Sequence, residues 1–191
     1  MRTKLTSKRF LLLLLYTPVG ELVYNSPIEG RTRLQKMVFI FQEEILKDFQ
    51  KDSSEKVEEL LHFEGWLFGP FAKKLFYDLE FLVNQQFISA EVSSSTPLSS
   101  EFEEYQYWYQ DMRNDSYEEY VQEKYLLTNE KGIPKAKELW DSITLNQQKM
   151  LIDFKTLLNR ASLDKILSYV YKKYDGTKLI EKSIIREKYL P

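Results

Sequence analysis

No cysteine occurs in the chain, and histidine occurs once, at His62. The first absence excludes disulfides, thiolate metal sites and cysteine nucleophiles outright. The second removes most histidine-based catalysis and metal ligation. No phosphate-cradling glycine loop, zinc-ligand spacing or nucleophile elbow is present. Long apolar runs are missing too. The stretch from Phe10 to Tyr16, preceded by Arg2, Lys4, Lys8 and Arg9, imitates a secretory signal. Its apolar part sits at the lower length limit, no small-x-small cleavage pattern comes after it, and Glu21 comes early. The run is far too short to cross a bilayer. The expectation is a buried first helix in a cytoplasmic protein with no membrane partner.

What is present points to a folded, mainly helical chain. At 191 residues it has room for one substantial core, and aromatic residues make up 15%, which favours dense packing over disorder. Residues 8–17 read as the first helix, stopped by Thr17-Pro18. From Arg31 the pattern is again helical, with Leu34, Met37, Val38, Phe41 and Ile45 on one face. The next polar stretch, KDFQKDSSEK, reads as a surface loop. Leu61 to Phe68 reads as a short extended segment, and Gly69-Pro70 as a sharp turn that starts a helix, since proline suits a first helical turn. Phe71, Leu75, Leu79, Leu82 and Val83 form the apolar stripe of that helix. Strands near 87–92 and 120–127 make a hairpin with a long insertion. Thr128 is placed to cap a helix whose regular part Pro134 delays, and 145–160 and 162–174 read as two further amphipathic helices. The fold class is mainly α (α+β): a winged-helix-like core at 1–132 with a small β-hairpin wing and an acidic, tyrosine-rich insertion at 93–118, then a helical C-terminal extension at 133–191.

Three segments carry a family resemblance. GRTRLQKMVFIF (30–41), FGPFAKKLFYDLEFLVNQQFI (68–88) and YLLTNEKG (125–132) resemble the YwgA-like proteins and, more distantly, antitoxin domains of the SocA (Panacea) type, and ILSYVYKKY (166–174) is similar to the C-terminal end of the former. The resemblance implies a helical, winged-helix-like fold and a non-catalytic regulatory or antitoxin role. Ala72 stands where the group commonly has a serine, which removes a helix-capping hydroxyl. Asp175-Gly176 replaces the proline of the C-terminal motif.

Charge is distributed unevenly. Residues 1–36 hold seven basic and two acidic residues, whereas residues 89–123 hold nine acidic residues against Arg113 alone. Arg31, Arg33 and Lys36 fall within about one and a half helical turns beside Gly30, a pattern that suits phosphate contact as well as it suits a solvated polar face. Lys73, Lys74, Tyr77 and Asn84 project from the helix that would read DNA in a winged helix, though Asp78 and Glu80 beside them would repel phosphates. Tyr105, Tyr107, Trp108 and Tyr109 inside the acidic insertion suit protein recognition, where aromatics anchor and acidic rims steer basic partners. Glu101, Glu103 and Glu104 lack the spacing of a calcium loop and read as a solvated run. His62 has no second histidine or cysteine to work with and reads as structural. The expectation is a protein without cofactor, metal or catalytic residues. Its candidate partners are double-stranded DNA as a transcriptional regulator, a basic protein such as a toxin or nuclease subunit, and a second copy of the chain.

Overall fold

The structure is a computed structural model, and it describes residues 4–20, 23–51, 53–92 and 123–190. The acidic insertion 93–118, with its four aromatic candidates, lies outside the described residues. The first helix, α1 (Ser7–Tyr16), is capped by the Thr6 side chain, and every residue from Phe10 to Tyr16 is buried. A helix apolar on all sides is stable in water only when it is surrounded by protein. Here α2 (Arg31–Glu44), α4 (Lys73–Asn84) and α5 (Gly132–Asp141) surround it, with Phe10 stacked on Phe41 at 4.1 Å. The chain is mainly α with a small antiparallel component, as expected.

Short β1 (Ile28–Glu29), β4 (Ile88–Val92) and β5 (Glu123–Leu127) form one antiparallel sheet in the order β1-β5-β4. Ile88 faces Leu127 and Ala90 faces Tyr125, so alternate residues turn Ile88, Tyr125 and Leu127 into the core. The hairpin expected at 87–92 and 120–127 is therefore present. At its exit Thr128 ties the chain to the turn before β4: its amide donates to the Phe87 carbonyl, its hydroxyl donates to the Gln86 carbonyl at 2.6 Å, and that hydroxyl accepts from the Gly132 amide at 3.0 Å. Gly132 has to be glycine, because a β-carbon there would lie 2.0 Å from the Phe87 oxygen. Pro134 sits in the first turn of α5, where its missing N–H costs nothing.

Two expectations need correction. Gly69-Pro70 does not start a helix. Residues Gly69–Phe71 form β3, which pairs antiparallel with β2 (Glu64–Trp66) around a two-residue turn, and α4 begins two residues later. Proline is tolerated because this ribbon has only two strands, so its absent N–H breaks no inner ladder. Gly69 adopts φ +83°, which L side chains rarely reach, with the Tyr171 ring packed over it. The aromatic neighbours do pin this region: Trp66, Phe71 and Phe76 stack in series. As the Ala72 substitution implied, α4 starts without a side-chain cap. The second correction concerns KDFQKDSSEK. It opens with a further turn, α3 (Leu46–Phe49), because Leu46 and Phe49 are both buried, and Gln50 then bonds both backbone groups of Val57.

The C-terminal part comprises α6 (Leu145–Arg160), α7 (Leu163–Lys173), α8 (Lys178–Glu181) and α9 (Arg186–Tyr189). The bounds of α6 are those that its apolar period predicts. One hydrophobic cluster runs from Leu5 to Tyr189 through both halves of the chain. The last segment closes over the β2–β3 ribbon: the Leu67 carbonyl accepts from the Ile184 amide at 2.9 Å and the Ser183 hydroxyl at 3.0 Å.

Candidate functional site

The three cations of α2 are all committed inside the molecule. Lys36 is fully buried, and its ammonium donates to the carbonyls of Phe68 at 2.8 Å and Pro70 at 3.0 Å. Gln35, also fully buried, donates to the same Pro70 carbonyl at 3.1 Å. The Gln35-Lys36 pair of the RLQK motif thus clamps the Gly-Pro ribbon by its backbone oxygens, which joins two of the resemblance-bearing segments physically. Arg33 donates one guanidinium nitrogen to the carbonyls of Leu158 (2.7 Å) and Ala161 (2.8 Å), closing the C-terminal end of α6. Arg31 pairs with Glu123 at 2.9 Å and reaches the Tyr125 hydroxyl, which itself donates to Glu123. Burial pushes the Arg31 guanidinium pKa down, but Tyr125 and Glu123 outweigh it and raise it. Of these three residues, Lys36 presents no surface to any ligand.

The residues on α4 stand differently. Lys73, Lys74, Tyr77 and Asn84 are all exposed, sharing the outward face with Glu80 and Phe81. Asp78, expected to repel phosphate beside them, instead turns inward and is buried at 3% exposure. Its carboxylate accepts from Lys8 at 2.7 Å, from Lys74 at 2.5 Å and from the Ser7 hydroxyl. Burial raises the Asp78 pKa, but the hydrogen bonds from Lys74, Lys8 and Ser7 win and hold it below the usual carboxylate range. The negative charge is thus neutralised by two lysines. Lys8 lies over the Phe81 ring at 5.0 Å, so the start of α1 adds its own cation to the α4 face.

His62 is exposed beside β2, with its ring nitrogens 3.7 Å from Glu59 and 3.9 Å from Glu64. No group of three or more potential metal ligands occurs among the described residues. No helix among them is long and apolar enough to cross a membrane. A scan against protein-family models, a search of curated proteins and a search of solved structures each found no match.

A further buried cation stands on α6. Lys155 of α6 is fully buried, and its amine donates to the carbonyls of Leu15 and Thr17, both at 2.8 Å, capping the C-terminal end of α1. Burial pushes its pKa down to about 7. Its position among Leu151, Phe154 and Leu158, all buried, marks it as inward-facing by helical spacing. Only its oxygen partners were hidden.

Proposed function

We propose that the chain is a non-enzymatic, winged-helix-like regulator that contacts duplex DNA through the outward face of α4. The observation that carries this reading is the joint exposure of Lys73, Lys74, Tyr77 and Asn84 on one helix face, with the adjacent carboxylate of Asp78 withdrawn and neutralised. Lysine and asparagine donate to phosphates and base edges, and a helix of 12 residues presents them to a major groove. The order α1, β1, α2, α4, then the β4–β5 hairpin, with β1 against β5, supports assigning α4 as the reading helix. Arg31 and Arg33, held to protein oxygens, act in this reading as braces.

The test is a mobility-shift titration with duplex DNA at low and physiological salt. Binding that falls steeply with salt is expected, and Lys73→Glu combined with Asn84→Ala should weaken it at least about tenfold while the melting curve stays unchanged. No shift with any duplex at low salt would refute it. Tyr77 and Phe81, each 48% exposed on the same face, favour a second reading, an antitoxin-like or adaptor module bound to a partner protein. That reading takes over if the folded protein ignores DNA.

A further inference from the structure

The outward ridge of α6 reads the same from both ends. Its exposed residues at four-residue spacing are Leu145, Lys149, Asp153 and Leu157. Leu145 and Leu157 are 83% and 69% exposed, large values for leucine, and they bracket a lysine and an aspartate that bond each other at 2.5 Å. Turn the helix end for end about a point midway between Lys149 and Asp153, and leucine falls where leucine was while lysine and aspartate exchange. A surface with that property is complementary to itself under a two-fold axis, as a closed dimer contact requires.

A second feature lies at the right end of this ridge. An apolar groove of about 460 Å³ opens beside Leu157, lined by Ile40, Ile45, Met150, Phe154 and Leu158, with Glu44 at its edge. Antiparallel apposition brings Leu145 of the partner subunit to that end. The same operation brings this chain's Leu145 to the partner's groove. The start of α6 is rigid enough to present Leu145 as a fixed knob. Thr144 and Gln147 form a reciprocal capping box, and Gln147 also donates to the Phe49 carbonyl at 2.6 Å.

We propose that α6 is the dimer contact of this protein: two copies pack α6 antiparallel, each Leu145 entering the other's groove, and each Lys149 facing Asp153 of the partner subunit. Side chains four apart make one of the natural ridges of a helix, and two such ridges interlock at a crossing near −50°. The ridge spans about 18 Å, long enough for both leucines and the central charges to engage. The occupant is a second copy because the charge order demands it. An unrelated apolar partner would cover the Lys149–Asp153 pair while offering neither member a charge of its own, whereas this chain supplies both in mirrored order.

The test is the mass of the purified full chain by sedimentation equilibrium from micromolar to sub-millimolar concentration. A monomer–dimer equilibrium is expected. Leu157→Glu should weaken it at least about 100-fold, since each of two symmetric sites then buries a carboxylate, and the melting curve should not move because Leu157 supports no core. Lys149→Asp sets four carboxylates face to face and should also dissociate the dimer. Combining it with Asp153→Lys restores the mirrored order and should restore the dimer. A wild-type monomer at every concentration overturns the proposal. So does a dimer indifferent to Leu157→Glu, or a double exchange that fails to recover what Lys149→Asp loses.

Discussion

Helix α2 carries three cations in its first six residues, and α4 carries two in its first two, yet the helices use them in opposite directions. On α2 each cation finds protein oxygens: Lys36 the ribbon carbonyls, Arg33 the end of α6, Arg31 the Glu123–Tyr125 pair. On α4, Lys73 and Lys74 remain on the surface, and the one inward polar group is an acid. The difference lies in what covers the helix. The β2–β3 ribbon and α7 pack on α2, so its polar side is interior and its charges must be bonded there. α4 packs on α1 and β4, and its other side, with Lys73, Tyr77, Glu80, Phe81 and Asn84, is exposed. Spacing alone cannot separate the two cases, because both helices show basic residues opposite an apolar stripe.

Breaking the clamp on the α2 side should have the largest effect. Lys36→Ala removes the ammonium shared by the Phe68 and Pro70 carbonyls, leaves Pro70 its bond from Gln35, and opens a cavity; it is expected to destabilise the fold by about 3–5 kcal/mol in a urea titration. Lys36→Met, which keeps the volume, should recover part of that loss and so isolate the carbonyl share.

The next effect depends on pH. The Lys155 pKa is depressed to about 7 in the folded chain, against about 10.4 when unfolded. Between these values the unfolded chain holds a proton that the folded chain has released. Stability from this residue is therefore lowest below pH 7 and rises through the window, by up to about 1.4 kcal/mol per pH unit. Urea midpoints at several pH values from neutral to alkaline should show this rise, and Lys155→Met should flatten it.

Asp78 should show the same sign in a lower pH window, and a smaller size. Its pKa is depressed in the folded state, so its contribution is present above the ordinary carboxylate range and is lost as pH falls through the folded value. Asp78→Asn should cost about 1–2 kcal/mol at neutral pH and very little in acid. The smallest effect is expected on the α4 surface. Lys73→Glu should change stability by less than about 0.5 kcal/mol, and a larger loss would remove the contrast with α2.

Much of this architecture was legible from residue pattern. Strong apolar periods placed α2, α6 and α7 closely, and the strands expected near 87–92 and 120–127 are present over the described 88–92 and 123–127, where Ile88, Tyr125 and Leu127 are the inward residues. The ribbon at 64–71 was not legible. Glycine beside proline signals a turn but leaves open whether a helix or a strand comes after it, and the ribbon is held by Gln35 and Lys36, more than thirty residues upstream. The exposure of the candidate site was legible on α4, where it tracks the helical period. It was misread at Asp78, whose partners Ser7 and Lys8 lie on another helix, and at Lys36, whose acceptors are backbone atoms that no residue letter records.

The capping of α1 by Lys155 carries a consequence for how the chain is made. Leu15 and the lysine that satisfies its carbonyl are 140 residues apart. At a synthesis rate of about 5–20 residues per second, this apolar helix, buried from Phe10 to Tyr16, waits roughly 7–28 s before the group that closes its end leaves the ribosome. During that interval the Leu13 and Tyr16 oxygens find Thr17 and the Asn25 amide nearby, but those of Leu15 and Thr17 lack the lysine that later bonds them. A pulse of protease applied to stalled nascent chains should therefore cut near Thr17 until α6 has emerged, and should then stop.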